Sequence, residues 1–310
     1  MKIVVTGGAG FIGSWVCDYY LNIGHEVLII DNLTTGVRNN ISEGAKFVEA
    51  DIRDFQTVNS VIAEFGADII NHHAAQIDVR KSVDDPAFDA EVNIIGSINL
   101  LESAIRNGVQ KFMFASTGGA IYGEPRDIPA DENTAAVPIS AYGTSKYAVE
   151  KYLSYYKELH GMDYVALRYA NVYGPRQNPH GEAGVIAIFC NRIISGETCK
   201  VFGDGEQTRD YVFVEDVARA NVLGLDAPCG SYNIGTGIEK SVNDLLSELG
   251  AASGGSFDVQ YGDARAGEVQ SISLDAKLAG KVLKWTPDVK LKEGIQRTWD
   301  WFNKERKVKY

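Results

Sequence analysis

The 310-residue sequence predicts an α/β fold, a doubly wound parallel sheet with a smaller C-terminal α/β domain. Three observations carry this. Short β-branched runs alternate with helical stretches through the first 170 residues, the pattern of strands buried on both faces by crossover helices. A glycine-rich turn follows the first run directly. After about Asn171 the rhythm breaks into NVYGPRQNPHGEAG, dense in Gly, Pro, Asn and His.

The elements follow in order. Strands are expected at 2–6, 26–30, 46–50, 68–72, 111–115 and 163–168, with helices over 11–23, near 55–64, 83–107 and 141–160. Their crossovers are right-handed by rule. Beyond them lie a helix at 185–195, short strands and a late helix at 292–306. Residues 215–225 and 232–234 read as a last helix and strand returning to the sheet. The division is therefore 1–170 plus about 211–236 for the large domain, and about 171–210 with 237–310 for the smaller one, closing over the sheet's ligand edge. At about 150 residues per domain, the length allows two.

Composition narrows the function. Thirty Lys and Arg stand against 41 Asp and Glu, a formal net charge of −11. Such a surface repels a polyphosphate backbone, so no nucleic-acid partner is expected. Small phosphorylated ligands remain allowed. The four cysteines (Cys17, Cys190, Cys199 and Cys229) form no CxxC pair and show no zinc spacing, as expected of reduced thiols and no metal site. No apolar run approaches the ~18 residues of a membrane span, and MKIVVTGG carries no charged leader. A soluble, cytoplasmic protein with no membrane partner is expected.

Gly7, Gly10 and Gly13 form GxxGxxG between the first strand and the first helix. The first permits a tight turn, the second lets a pyrophosphate approach the backbone, and the third packs helix on strand. The helix N-terminus offers free amides and a partial positive charge to those phosphates. This is the Rossmann arrangement. The second strand leads into Asp31, at the expected ~20-residue distance. An acid there accepts hydrogen bonds from a ribose and repels a 2′-phosphate, which selects NAD over NADP. Asp51 and Ile52, after the third strand, either cap it or read an adenine. His72 and His73 end the fourth strand with no third ligand at metal spacing, and read as structural histidines.

Tyr142 and Lys146 form YxxxK in a predicted helix, so both side chains share a face. Many ordinary helices contain that spacing, and its weight comes from lying downstream of the glycine turn. An ammonium beside a phenol lowers the phenol's pKa, which would make Tyr142 a general acid or base. The fifth strand runs into Ser116 and Thr117, whose hydroxyls can hold a substrate oxygen.

Taken together these segments resemble the extended branch of the short-chain dehydrogenase/reductase superfamily, which acts on nucleotide sugars. The resemblance runs through TGGAGFIG (6–13), DNL (31–33), DI (51–52), HHAAQ (72–76) and EVNIIGSINLLE (91–102). It continues through ASTGGAIYGEP (115–125), SAYGTSKYAVE (140–150), LRYANVYGPRQ (167–177) and QTRDYVFVEDV (207–217). It implies 4-epimerisation of a UDP-hexose through a 4-keto sugar, with NAD bound tightly and regenerated each cycle. The implied cofactor contacts are Gly7, Gly10, Phe11, Ile12, Gly13, Asp31, Asn32, Asp51, Ile52, His73, Ala74, Ala75, Asn93, Ser116, Tyr142, Lys146 and Tyr169. Tyr142 is implied as the base, Lys146 as the residue that lowers its pKa, Asn93 as support for the pair, and Ser116 or Thr117 as the orienting hydroxyl. Asn171, Arg209, Tyr211 and Arg265 are implied to contact the UDP, and Glu268 its uridine ribose. Guanidinium groups suit a diphosphate in an otherwise acidic protein.

Where many of these epimerases carry a third serine, this chain has Gly118. Thr117 is expected to supply the sugar contact and Ser116 to lie near the nicotinamide, because adjacent strand residues point to opposite faces. Gly118 and Gly119 stand where 4,6-dehydratases carry an acidic pair, which disfavours dehydration. Uronate epimerases, decarboxylases and a catalytically silent dinucleotide sensor are the alternatives. Residues 91–105 and 146–156 are apolar beyond one face, so a homodimer is expected. Ile272 is expected beside the sugar's N-acetyl region, or Ser271 if the match slips by one residue.

Overall fold

The computed structural model describes residues 1–180, 184–264 and 269–308. Chain order begins β1 (Lys2–Thr6), α1 (Phe11–Asn22), β2 (Glu26–Asp31), β3 (Lys46–Glu49), α2 (Phe55–Phe65) and β4 (Ile69–His72). Next come α3 (Val79–Asp84), α4 (Pro86–Ala90), α5 (Gly96–Arg106), β5 (Lys111–Thr117), α6 (Gly118–Ile121), α7 (Ala141–His160), β6 (Asp163–Tyr169) and β7 (Asn171–Tyr173). The rest is α8 (Val185–Ser195), β8 (Cys199–Phe202), β9 (Thr208–Phe213), α9 (Val214–Gly224), β10 (Gly230–Ile234), β11 (Glu239–Ser241), α10 (Val242–Ser253), β12 (Val259–Gly262), β13 (Ser271–Ile272), α11 (Lys277–Val282) and α12 (Leu291–Val308).

The main sheet has seven strands in the order β10-β6-β5-β4-β1-β2-β3, and every pairing in it is parallel. Strand alternation sorts its side chains into two layers. Ile3, Val5, Val27, Ile29 and Met113 face α1 and α9, while Val4, Leu28, Ile30, Phe112 and Phe114 face α2, α5 and α7. The strand order reverses between β1 and β4, so their C-terminal ends open a crevice there. A third core gathers Phe189, Cys190, Val201, Phe213, Leu245 and Ile295 around β8, β9, α8, α10 and α12. No helix among the described residues is long and apolar enough to cross a membrane.

The continuous helix expected over 83–107 is instead broken. Asp85 caps α4 by accepting from the Phe88 amide, and Pro86 takes the first helical position. Proline lacks the amide that an unbroken helix needs and is tolerated only in a first turn. A π-helical turn over Glu91–Ile95 then joins α4 to α5 and turns Asn93 inward. The fifth strand extends past its expected end to Thr117.

At the C-terminal end of the sheet, Arg168 on β6 and Glu150 on α7 form an ion pair at 2.6 Å with side chains 8% and 5% exposed. Removing one partner of such a pair strands a buried charge, at a cost of about 3–5 kcal/mol. Arg168→Met is therefore expected to lower the denaturation midpoint strongly. The double variant Arg168→Met/Glu150→Gln should recover most of that loss, and urea unfolding of the three proteins measures it.

Candidate active site

The crevice is a cleft of about 450 Å³. Its floor is the turn after β1. Gly7 has φ +71°, and a Cβ on it would lie 2.6 Å from the Ala74 amide nitrogen. A Cβ on Gly13 would lie 2.3 Å from the Gly7 carbonyl. Only glycine fits either place. Gly10 caps α1 without a capping side chain, so the first amides of α1, at Phe11, Ile12 and Gly13, have no intrahelical acceptor. All five of these residues line the cleft.

Asp31 accepts from the Ala9 amide (3.0 Å) and the Leu33 amide (2.8 Å). Burial raises its pKa against those two bonds. Asp51 accepts both arms of Arg53, at 3.0 and 2.9 Å, and the Asn32 amide at 3.0 Å. Those partners, Arg53 first, hold its carboxyl at about 2. Asn32 and Ile52 line the same end of the cleft.

On the β4 side lie His73, Ala74 and Ala75. The His73 ring stacks on Tyr169 at 6.3 Å, and its shielded Nε2 has no hydrogen-bond partner among the described residues. Gln177 Oε1, on the opposite rim, is likewise unpartnered. Two shielded, unpartnered polar atoms and a row of helix amides on residues lining one cleft fit a dinucleotide, which supplies both phosphates and polar edges. His72 is a structural histidine, as expected. Ser97 gives its proton to the Asn93 carbonyl (2.6 Å), so His72 Nε2 must donate to Ser97 (2.9 Å) and Nδ1 must accept from Thr6 (2.7 Å).

Tyr142 and Lys146 enter from the first turns of α7, whose N-terminus Ser140 caps through the Gly143 amide. The Tyr142 amide donates to Ser82 at 3.1 Å. Lys146 Nζ donates to the Ala115 carbonyl at 3.0 Å and lies 5.9 Å from the centre of the Tyr142 ring. Burial pushes the Lys146 ammonium down to about 8, although Asp89 opposes this. The expected lowering of Tyr142 is corrected here. Burial, reinforced by the Asp89 charge, raises its phenol above the ordinary tyrosine range. The lysine is turned towards the Ala115 carbonyl.

The two hydroxyl residues stand in different surroundings. Ser116 lines the cleft, yet its hydroxyl donates to Glu150 at 2.6 Å. Thr117 is half-buried at the end of β5. A Cβ on Gly119 would stand 3.4 Å from Asn171 Oδ1 and 4.0 Å from Thr117 Oγ1, so both polar groups lie close to this glycine. A Cβ on Gly118 would meet Leu274 at 2.4 Å. The glycine there answers to packing beneath the loop.

Other expected residues lie off the cleft. Asn93 is 2% exposed and bonds to Gln76 and Asp89, so its hydrogen-bonded route to the Tyr–Lys helix runs through Asp89 and Ser145. Half-buried Arg209 donates to the Thr208 carbonyl at 2.8 Å. Tyr211 packs edge-on against Tyr173 in the third core. Ile272, 2% exposed, is core and cannot crowd a sugar substituent. Arg265 and Glu268 lie outside the described residues. Sequence reasoning missed Glu150 and Asp89. Glu150 extends YxxxK by one turn to YxxxKxxxE, a readable signal, whereas Asp89 sits in DPAFD with no periodic cue.

A parallel sheet with a glycine-floored cleft at its switch point, and a tyrosine and lysine one helical turn apart on the wall, defines a dinucleotide-dependent short-chain dehydrogenase/reductase fold. The chain belongs to the NAD dependent epimerase/dehydratase family, whose profile matches residues 3–235. It is 44% identical over 310 residues to the UDP-glucose 4-epimerase of Mycolicibacterium smegmatis, covering 97% of this chain and 98% of that one. The structure of the Thermotoga maritima UDP-glucose 4-epimerase with UDP-glucose matches with a TM-score of 0.97 and 45% identity, over 99% of this chain and 100% of the other. That of the Thermus thermophilus UDP-glucose 4-epimerase with NAD matches with a TM-score of 0.93 and 45% identity, over 97% and 99%.

Burial and Lys146 push His73 down to about 3, and His72 lies well below its ordinary value for the same reasons. The unfolded chain therefore binds more protons than the folded one from about pH 6.5 down to the folded values. Stability is full above that range and falls as pH drops through it, by about 1.4 kcal/mol per pH unit for each histidine. Thermal melts from pH 7.5 to 5 should show this slope, and His73→Gln should reduce it.

Proposed function

We propose that the protein is an NAD-dependent 4-epimerase of UDP-hexoses, interconverting UDP-glucose and UDP-galactose through a 4-keto sugar. The observation that carries this reading is the Tyr142–Lys146 pair on the wall of a dinucleotide cleft, with Lys146 bonded to the Ala115 carbonyl of the strand that ends at Thr117. The full-length likeness to UDP-glucose 4-epimerases supports the reaction class. In this reading residues 1–170 with about 211–236 hold the cofactor, and about 171–210 with 237–310 hold the nucleotide sugar.

NAD would be held by the α1 amides, Asp31, Asp51 and the His73 edge, and it supplies the acceptor and donor of hydride at the sugar's C4. The protein's own part is proton transfer and orientation. Tyr142 Oη takes the proton of the 4-hydroxyl and returns it after the sugar has turned over. Lys146 places a positive charge beside that phenol, which a phenolate needs in a buried site. Thr117 Oγ1 donates to the sugar oxygen. Ser116 is committed to Glu150 and holds the end of β5 in place. Asn171, Arg209 and Tyr211, with Arg265 and Glu268, grip the UDP so that the sugar rotates about a fixed anchor.

We also propose a homodimer. Tyr152, Tyr155 and Leu159 on α7 and Ile95 before α5 are 37%, 53%, 58% and 51% exposed, an apolar face suited to a second copy. The cytoplasm is the compartment we assign, and four free cysteines support a reducing one.

Purified protein incubated with UDP-galactose should yield UDP-glucose by NMR. No interconversion with NAD and UDP binding intact overturns the reading and favours a uronate epimerase, a decarboxylase or a silent sensor. Tyr142→Phe should lose about 10²-fold or more in rate. Thr117→Val keeps the shape and should lower kcat by about 10- to 100-fold; an unchanged rate would remove its hydroxyl from the mechanism. Sedimentation at micromolar concentration tests the dimer, and a monomer refutes it.

A further inference from the structure

Asp89, in the first turn of α4, is 0% exposed. Its Oδ2 accepts from Ser145 Oγ at 2.6 Å, and its Oδ1 accepts from Asn93 at 2.9 Å and Gln76 at 3.1 Å. All three donors are neutral. Among the described residues no cation lies within ion-pair distance of this carboxylate. Burying a carboxylate without a cation is costly, and three neutral hydrogen bonds offset that only in part. Ser145 lies between Tyr142 and Lys146 on α7, so the charge is fastened to the turn that carries the pair.

The surroundings of Lys146 pose the reverse problem. From the end of β4, His72 and His73 face it, both held neutral by burial. From α7 and β6, Glu150 and Arg168 cancel one another at 2.6 Å. From α3, Lys81 is exposed and bears on Phe88, where solvent screens it. Of the described groups that act on Lys146, Asp89 is thus the buried charge of opposite sign without an ionic partner of its own.

We propose that Asp89 is the counter-charge of Lys146, a positioning residue that keeps the catalytic ammonium protonated through the field of its carboxylate while its bond to Ser145 fixes the first turns of α7. The inference rests on the catalytic reading of the Tyr142–Lys146 pair and adds a residue to it. Without the carboxylate, nothing opposes the burial that already brings Lys146 to about 8, and the lysine would lose its proton near neutral pH. The same charge works against ionisation of Tyr142. Asp89 therefore favours the protonated form of both groups and holds the lysine charged beside the tyrosine.

The test is NMR titration of cofactor-free protein labelled with [ε-13C]lysine, the Lys146 signal being assigned by its loss in Lys146→Met. In Asp89→Asn, Lys146 should titrate about one pH unit or more below wild type, and the alkaline limb of the pH–rate profile should move down with it. Ser145→Ala breaks the hydrogen bond and keeps the charge, so its Lys146 titration should stay near wild type. Should Asp89→Asn not fold, thermal melts of Asp89→Asn/Lys146→Met decide: the double variant should regain folding, because the ammonium left without its counter-charge is gone. An unmoved Lys146 in folded Asp89→Asn, an equal shift in Ser145→Ala, or a double variant no more stable than Asp89→Asn would overturn the proposal. None of the titrations depends on turnover, so they stand apart from the failure of 4-epimerisation itself.

Discussion

The site depends on one buried ion pair, Glu150 with Arg168. Arg168 reaches Glu150 through Nε and one terminal nitrogen and gives its other arm to Tyr122 at 2.8 Å. Tyr122 donates in turn to Asn233 on β10, and Ser231 on the same strand donates to Glu150 at 3.1 Å. Ser116 completes the set from β5. Helix α7, the ends of β5, β6 and β10, and the residue after α6 therefore share one electrostatic knot. A hydrophobic substitute could stabilise as much, but it would leave the Ser116 hydroxyl without an acceptor and the end of β5 without a fixed direction. The lysine and tyrosine sit one and two turns before Glu150 on the same helix, so the knot sets where they stand.

Much of the fold was legible because its signals are local. Strand alternation at Ile3–Val4–Val5 and Val27–Leu28–Ile29 sends neighbours to opposite layers, and the glycine turn announces itself by spacing. The helix expected over 83–107 misled because its apolar residues run on through a proline. Asp85 and Pro86 there begin a new helix, and local capping outweighed periodicity. The glycine turn and the strand ends of the cleft were legible because each follows a strand that could be read, whereas Lys81, Phe88, Gln177 and His180 come from later segments that carry no such cue.

What could not be read was mutual arrangement. The sequence places Lys146 on the face of Tyr142, but not the Ala115 carbonyl to which the ammonium turns. The charge that helps to raise the phenol comes from Asp89 on α4, whose contact with α7 has no signature in either segment. Ile272 was expected from the family resemblance to face a sugar, while its pairing with β9 directs it into the core. Gly118 looked like a lost hydroxyl, and its conformation answers to Leu274, 156 positions later in the sequence.

The placement of β10 has a consequence for synthesis. Tyr20 on α1 donates to the carbonyl of Asn221, 201 residues on, and Asn71 on β4 bonds to the side chain of the same residue, 150 residues on. Strand β10 covers the β6 edge, and α9 covers α1. A nascent chain that has just released His180, the last of the described residues that line the cleft, still has a bare sheet edge and a bare helix face. Such edges invite pairing with other chains, and contacts this distant in sequence form slowly. The ribosome thus completes the walls of the cleft before the fold that supports them can close.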